Sequence, residues 1–397
     1  MTKYKNTAIV LGGGINGLGL TRNLGRNGVC VYCVTDNVNE VIFSRYCKKY
    51  FIVRHIQENK DALKLFLKKL GKNLNDYAIL FPTSDLFSLH LSDLKDELEG
   101  NYHVLLPKSE VVKTLVEKKR FYPSLSENEV PHPTTFFPAS NEEVREISKE
   151  IKYPVFIKPS ISAIFHRKFG GKGFIANSES ELIHYYGLAS KHKIEVGLQE
   201  VIPGPANFIY GIAGYFDKSS YPKAFFAYHR LRGWPPIFGT NSLMESIPIS
   251  NVASIKETTE CYLHKIGYHG IMEAEFKRDP RDGIFKLLEI NARSWWQNSL
   301  PSKCGINIVF IAYLDSIGKV LQYTENYEPG IKWAYFLDDL KSSIKTSGNM
   351  TLRDWITSLK GIKDWAFFSI DDLLPWIIRN FFSFHMLLKA ISKKAEL

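Results

Sequence analysis

The stretch from Gly270 to Arg293 constrains this chain more than any other. Ile271 to Lys277 and Phe285 to Asn291 read as strands flanking Asp279-Pro280-Arg281-Asp282-Gly283, a run whose composition favours a turn. With a side-chain period of two, Glu273 and Glu275 share one face. Glu289 and Asn291 share another, and Arg293 continues that row. Closing the hairpin sets the rows alongside each other, so that some carboxylates become cross-strand neighbours with Cβ atoms about 5 Å apart. Like charges at that distance oppose folding unless a cation lies between them. Two or three oxygen ligands with open positions suit a hard divalent ion that also holds phosphate oxygens. A solvent-facing hairpin with ordinary glutamates, or a structural ion pair, is the plainer reading. Against the first, Glu289 lies between Leu288 and Ile290, behind Leu287, and Ser294-Trp295-Trp296 follows.

The chain before the hairpin changes rhythm once. Thr7 to Leu11 is a short apolar strand, followed by Gly12-Gly13-Gly14-Ile15-Asn16-Gly17, a helix from Leu18 to about Asn27, and a strand over Val29 to Val34. Ala78 to Phe81 ends in Pro82-Thr83-Ser84-Asp85, and His103 to Leu106 is one more strand. This alternation predicts a small parallel sheet with helices on both faces. After Pro107, helices are expected over Lys108 to Tyr122 and Asn141 to Ile151. Strands then dominate: Pro154 to Lys158, Gly173 to Ala176, Gly197 to Val201, Phe208 to Phe216 and Lys223 to Leu231. An α/β unit thus feeds an α+β body, and from about Ser342 the pattern turns helical and aromatic. With 397 residues, two or three domains are expected.

The net charge of +10 points to an anionic partner. The basic residues are dispersed, with short clusters at Lys168 to Lys172 and Lys393–Lys394, and no run of stacking aromatics accompanies them, which argues against nucleic acid. Of the five cysteines, Cys30 and Cys33 form a C-x-x-C on a strand, where residues three apart face opposite ways; they read as reduced core cysteines and not as a metal pair. No signal-peptide pattern occurs, nor a run of about 18 apolar residues, so a cytoplasmic protein is expected.

Glu275 followed by Leu288-Glu289-Ile290-Asn291-Ala292-Arg293 resembles the metal-binding signature of the ATP-grasp superfamily, with Ala292 where many members have proline. The resemblance implies that Glu275, Glu289 and Asn291 ligate two magnesium ions on the phosphates of ATP, with manganese as an alternative, and that Arg293 faces an acyl phosphate. Further matches lie upstream in order. Glu117-Lys118-Lys119-Arg120-Phe121 resembles the helix entry whose lysine reaches the phosphates, best matched by Lys118. Pro154-Val155-Phe156-Ile157-Lys158-Pro159 resembles the strand whose closing lysine, here Lys158, contacts the α- and β-phosphates. His166 to Gly173 suits a mobile flap carrying Lys172. Gln199-Glu200-Val201-Ile202-Pro203-Gly204 resembles the hinge between the two lobes, where Glu200 and the backbone of Val201 and Ile202 would read the adenine edge; Asn207 is the nearest candidate for the ribose.

The resemblance spans roughly Val111 to Asn307, and together with the sequence pattern on either side it gives an expectation of three parts. A Rossmann-like lobe covers residues 1–106. A two-lobed ATP-grasp domain covers 107–335, its small lobe to about 199 and its large lobe from about 200. A helical, aromatic-rich C-terminal region covers 336–397. The opening Val10-Leu11-Gly12-Gly13-Gly14-Ile15-Asn16-Gly17-Leu18-Gly19, the Pro82-Thr83-Ser84-Asp85 loop and Arg232-Gly233-Trp234-Pro235-Pro236 most resemble the D-aspartate ligase and carbamoyl-phosphate-synthase-like group, which implies a carboxylate–amine ligase acting on an amino acid or an envelope or natural-product precursor. Arg230 and Arg232 are candidate clamps for a carboxylate or phosphate, or else partners of an outer-strand acid. Ser84 and Asp85 could position substrate, although capping the next helix is the plainer role. Two other function classes remain. Gly12-x-Gly14-x-x-Gly17 with Asp36 matches a dinucleotide fingerprint and suggests an NAD(P)-binding oxidoreductase, and a non-catalytic nucleotide-binding membrane-associated regulator could use the same scaffold. In the tail, Ile377, Phe381, Phe384, Leu388 and Ile391 recur at helical spacing. That stripe packs on the protein body or lies on the inner membrane face through residues 373–394. A homo-oligomer is compatible with all of this.

Overall fold

The computed structural model describes residues 3–235, 239–346 and 350–381. The first lobe comprises β1 (Ala8–Leu11), α1 (Gly14–Gly25), β2 (Val31–Thr35), β3 (Cys47–Ile52), α2 (Lys60–Gly71), β4 (Ala78–Pro82), α3 (Asp85–Asp93), α4 (Lys95–Leu98) and β5 (Tyr102–Val104). Its five strands run parallel in the order β3-β2-β1-β4-β5. The sheet ends at β5, one strand short of the six of a two-halved dinucleotide fold. Gly12 has φ +109°, and a Cβ there would collide with the Thr83 side chain. The glycine loop therefore turns tightly against β4. Cys33 is buried in β2, and Cys30 lies half-buried just ahead of it.

The chain continues through α5 (Ser109–Val116) and α6 (Lys118–Glu127), two helices where the sequence pattern predicts one. The break falls at Glu117, whose backbone is extended, and the Lys118 amide donates to Ser160 O at 3.1 Å. A small lobe follows: β6 (Thr135–Phe136), α7 (Asn141–Glu150), β7 (Val155–Pro159), α8 (Ser162–Phe169), β8 (Phe174–Ala176), α9 (Glu179–Lys191) and β9 (Val196–Glu200). Its four strands form an antiparallel sheet in the order β6-β9-β7-β8. The expected flap is half helix: α8 persists to Phe169, whose ring packs tilted or edge-on against Phe165 and Phe174, and left-handed Gly170 ends it.

The large lobe contains β10 (Ile209–Phe216), β11 (Pro222–Trp234), β12 (Thr240–Ser246), α10 (Ala253–Lys265), β13 (Gly270–Arg278), β14 (Phe285–Asn291), α11 (Ser299–Lys303), α12 (Ile308–Ser316), β15 (Lys332–Ala334), α13 (Phe336–Thr346), α14 (Leu352–Ser358) and β16 (Ile362–Trp365). Seven strands run in the order β14-β13-β10-β11-β12-β15-β16, antiparallel except for the last pair. The C-terminal region thus adds a strand, β16, that its aromatic pattern does not announce. No helix among the described residues is long and apolar enough to cross a membrane.

The first and large lobes share a core. Val10, Leu18 and Leu24 belong to the same buried cluster as Trp295, Leu300, Val309, Trp333 and Phe367. Each such side chain contributes about 1.5–3 kcal/mol on burial. The small lobe has its own core, including Val144, Val155, Ile157, Leu182 and Leu198. Polar ties reinforce the first union: Arg22 donates to Asp372 Oδ2 at 2.9 Å and to the carbonyls of Phe367 and Asp372, while Arg26 pairs with Asp371.

Candidate active site between two sheets

The cleft lies where β7 and the start of α6 face the edge of the large sheet. On that edge the register sets Glu275 directly opposite Glu289 and Glu273 opposite Asn291. A bulge after this pair leaves Leu288 outside the ladder, and its carbonyl accepts Tyr122 Oη at 2.8 Å and Lys158 Nζ at 3.1 Å. Lys158 also donates to Tyr122 Oη at 2.6 Å. This lysine therefore bridges the two sheets. Lys118, at the first position of α6 because of the break at Glu117, is buried with its ammonium 3.9 Å from Glu289.

Electrostatics follow from this crowding. Burial alone would raise the Glu289 carboxyl, but Lys118, Lys158, Lys172 and Arg293 outweigh it and hold it at about 2. Burial pushes the Lys118 and Lys158 ammonium groups below the usual lysine range, with Glu289 working in the opposite direction. Glu273 is raised to about 7 by burial and by the neighbouring Glu275. It accepts hydrogen bonds from Tyr228 Oη and, at 2.6 Å, from Asn291 Nδ2, which leaves the Asn291 amide oxygen as the group available to a cation. Glu275 accepts Arg230 Nη2 at 2.5 Å. Arg293 donates from Nε to Asp85 Oδ1 at 2.7 Å and from Nη1 to Ser294 O at 2.9 Å.

Lys118, Lys158, Lys172, Arg230 and Arg293 still outnumber Glu289, Glu275 and Asp85, and desolvation penalises the buried ammonium groups, so a polyanion fits between the sheets. Among the described residues no group of three or more His, Cys, Asp and Glu forms a self-sufficient metal cage. Two carboxylates and an amide oxygen suit a cation that completes its shell with phosphate and water.

The remaining candidates are less uniform. Glu200 closes β9, and its carboxylate accepts the Thr134 amide at 3.1 Å and pairs with Arg281 at 3.3 Å. Val201 and Ile202 begin the connection from the small sheet to β10, and Lys277 Nζ clamps it by donating to the carbonyls of Ile202 at 2.7 Å and Gly204 at 2.8 Å. Asn207 lies in a short turn of helix, Ala206–Phe208, with its carbonyl bonded to His229. Arg232 is not at the site. A bulge separates it from Arg230, so the two do not share a face as simple alternation predicts. Arg232 instead grips Asp339 of α13 through Nε at 2.8 Å and Nη2 at 2.7 Å. Its expected role as a substrate clamp is corrected to a structural ion pair. Sequence reasoning missed Lys277, Tyr122 and Tyr228; the helical offset of four between Lys118 and Tyr122 was the available signal for Tyr122.

No family model matches the chain. It is 23% identical to a D-aspartate ligase of Enterococcus faecium (strain Aus0004) over 313 residues, covering 76% of this chain and 74% of that one. Among solved structures it resembles N5-carboxyaminoimidazole synthetase from Staphylococcus aureus complexed with ADP, with a TM-score of 0.67, 14% identity, and 88% and 87% of the two chains covered. It also resembles the biotin carboxylase domain dimer of the Hydrogenobacter thermophilus 2-oxoglutarate carboxylase, in complex with MgADP, ADP and bicarbonate. There the TM-score is 0.65 and the identity 17%, with 83% and 73% covered.

Proposed function

We propose that this chain, which has the ATP-grasp fold, is a magnesium-dependent carboxylate–amine ligase that forms an amide or peptide bond through an acyl phosphate, releasing ADP and phosphate. The observation that carries the reading is the Glu275–Glu289 pair set beneath Lys118 and Lys158 at the junction of two sheets. Glu275, Glu289 and the Asn291 amide oxygen would hold magnesium, which when bound neutralises phosphate charge. Lys118 and Lys158, on rigid mounts, and Lys172, from the turn after α8, draw the phosphates into the cleft. The backbone of Val201 and Ile202 reads adenine while Glu200 braces the hinge, and Asn207 serves the ribose. Arg293 stabilises charge on the transferring phosphoryl group.

A substrate carboxylate attacks the γ-phosphorus and ADP leaves; an amine then attacks the acyl carbon and phosphate leaves. No side-chain nucleophile is needed. The substrates belong to the class of amino acids and envelope or natural-product precursors. The test is ADP release from purified protein, ATP and Mg²⁺ screened against amino acids and acceptor carboxylates. Release should require both substrates, fall to background with EDTA, and return with Mg²⁺ or Mn²⁺. Background release with every pair overturns the reading.

A peripheral membrane contact through residues 373–394 belongs to the same proposal. It is supported by exposed Leu373 (43%), Leu374 (48%), Trp376 (41%) and Ile377 (49%). Phe384, Leu388 and Ile391 of the stripe lie outside the described residues. Full-length protein should co-sediment with anionic liposomes, and truncation after Asp372 should abolish this; equal sedimentation of both rules the contact out.

A further inference from the structure

Arg293 receives its orientation from outside its own lobe. It follows β14 in a loop that the first lobe holds on both sides. Ahead of Arg293, the Ala292 carbonyl accepts Ser88 Oγ at 3.1 Å. After it, Ser294 Oγ donates to Asn16 Oδ1 at 2.6 Å and the Ser294 carbonyl accepts Asn16 Nδ2 at 2.9 Å. Between these fixings the guanidinium is pinned through Nε by Asp85 and through Nη1 by Ser294 O. Among the described residues Nη2 makes no hydrogen bond, so two of the three guanidinium nitrogens serve to orient and one remains to engage a ligand. Asp85 does not cap α3 with its side chain; Ser84 does, accepting the Phe87 amide at 3.4 Å. The Asp85 carboxylate is therefore free for the arginine.

We infer that Asp85 is a positioning residue that fixes the Arg293 guanidinium against the transferring phosphoryl group, so that the first lobe takes part in the chemical step. This rests on the ligase reading. A planar guanidinium anchored through two of its three nitrogens presents the third in one direction, whereas an unanchored arginine samples several rotamers. Misplacement by about 1 Å costs about 10²-fold in rate.

The test is a double-mutant cycle in full-length protein, with the substrate pair found in the screen. Asp85→Asn should lower kcat about 10²-fold with the Kd for ATP–Mg²⁺ unchanged, and Asp85→Glu should recover part of the loss. In the Arg293→Ala background, where residual turnover is followed over hours, Asp85→Asn should change kcat by less than about 2-fold, because the partner it acts through is gone. Loss of charge at the start of α3, and in the wild-type background of the ion pair with Arg293 as well, lowers the melting temperature and is read separately. A similar loss of kcat in both backgrounds, or a normal kcat in Asp85→Asn, overturns the inference while the ligase reading stands. A wild-type protein that turns over no substrate pair removes both.

Discussion

Replacing Glu289 by Gln should lower ADP release by about 10²–10³-fold while the native fold persists, as read by substrate-dependent ADP formation and by near-ultraviolet circular dichroism. Glutamine keeps the shape of the side chain and removes its charge. The carboxyl is held at about 2 by Lys118, Lys158, Lys172 and Arg293, so it remains ionised across the physiological range, and mild acid cannot imitate the substitution. The variant leaves these cations without their common partner and the cation site with one anionic ligand, Glu275. The β13–β14 ladder is untouched, because the Glu289 backbone and not its side chain pairs with Glu275. Near-normal turnover in Glu289→Gln would refute the site.

Replacing Arg232 by Ala should have the opposite profile: about 3–5 kcal/mol of lost stability, with the kcat of the molecules that remain folded little changed. Asp339 is fully buried, and besides the arginine it accepts Ser242 Oγ at 3.1 Å and Trp355 Nε1 at 2.9 Å. Removing Arg232 leaves that carboxylate without a counter-charge, which is the costly half of breaking a buried ion pair. Denaturant melts and kcat measured well below the transition separate the two effects. A variant as stable as the wild type but inactive would return Arg232 to the active site.

Glu275 and Glu289 were legible because a hairpin makes cross-strand neighbours from local spacing alone, and that spacing survives folding. Arg232 was not, because a single bulge in β11 reverses the face on which a side chain emerges, and nothing in Arg230-Leu231-Arg232 marks it. The break at Glu117 was likewise hidden. Val111 to Phe121 has no helix breaker, and the interruption arises from the Lys118 amide bonding to Ser160, a tertiary partner 42 positions away. Lys277 reads as an ordinary strand-end charge until the hinge carbonyls of Ile202 and Gly204 are brought to it. Strand β16 escaped because Ile362 to Trp365 is short and owes its pairing to β15. Residues acting through local geometry could be read directly, and those acting through distant partners could not.

The arginine pair at the C-terminal end of α1, Arg22 and Arg26, and its grip on Asp371 and Asp372 has a mechanical corollary. With the last described segment strapped across the first lobe, and with apolar side chains from both sides filling one common interior, the first and large lobes move as a single jaw. Among the described residues the small lobe has a separate interior, which leaves it the part free to move against that body. Any swing must bend the chain at both crossings, between α6 and β6 and between β9 and β10, and at the second of these Lys277 holds the Ile202 and Gly204 carbonyls.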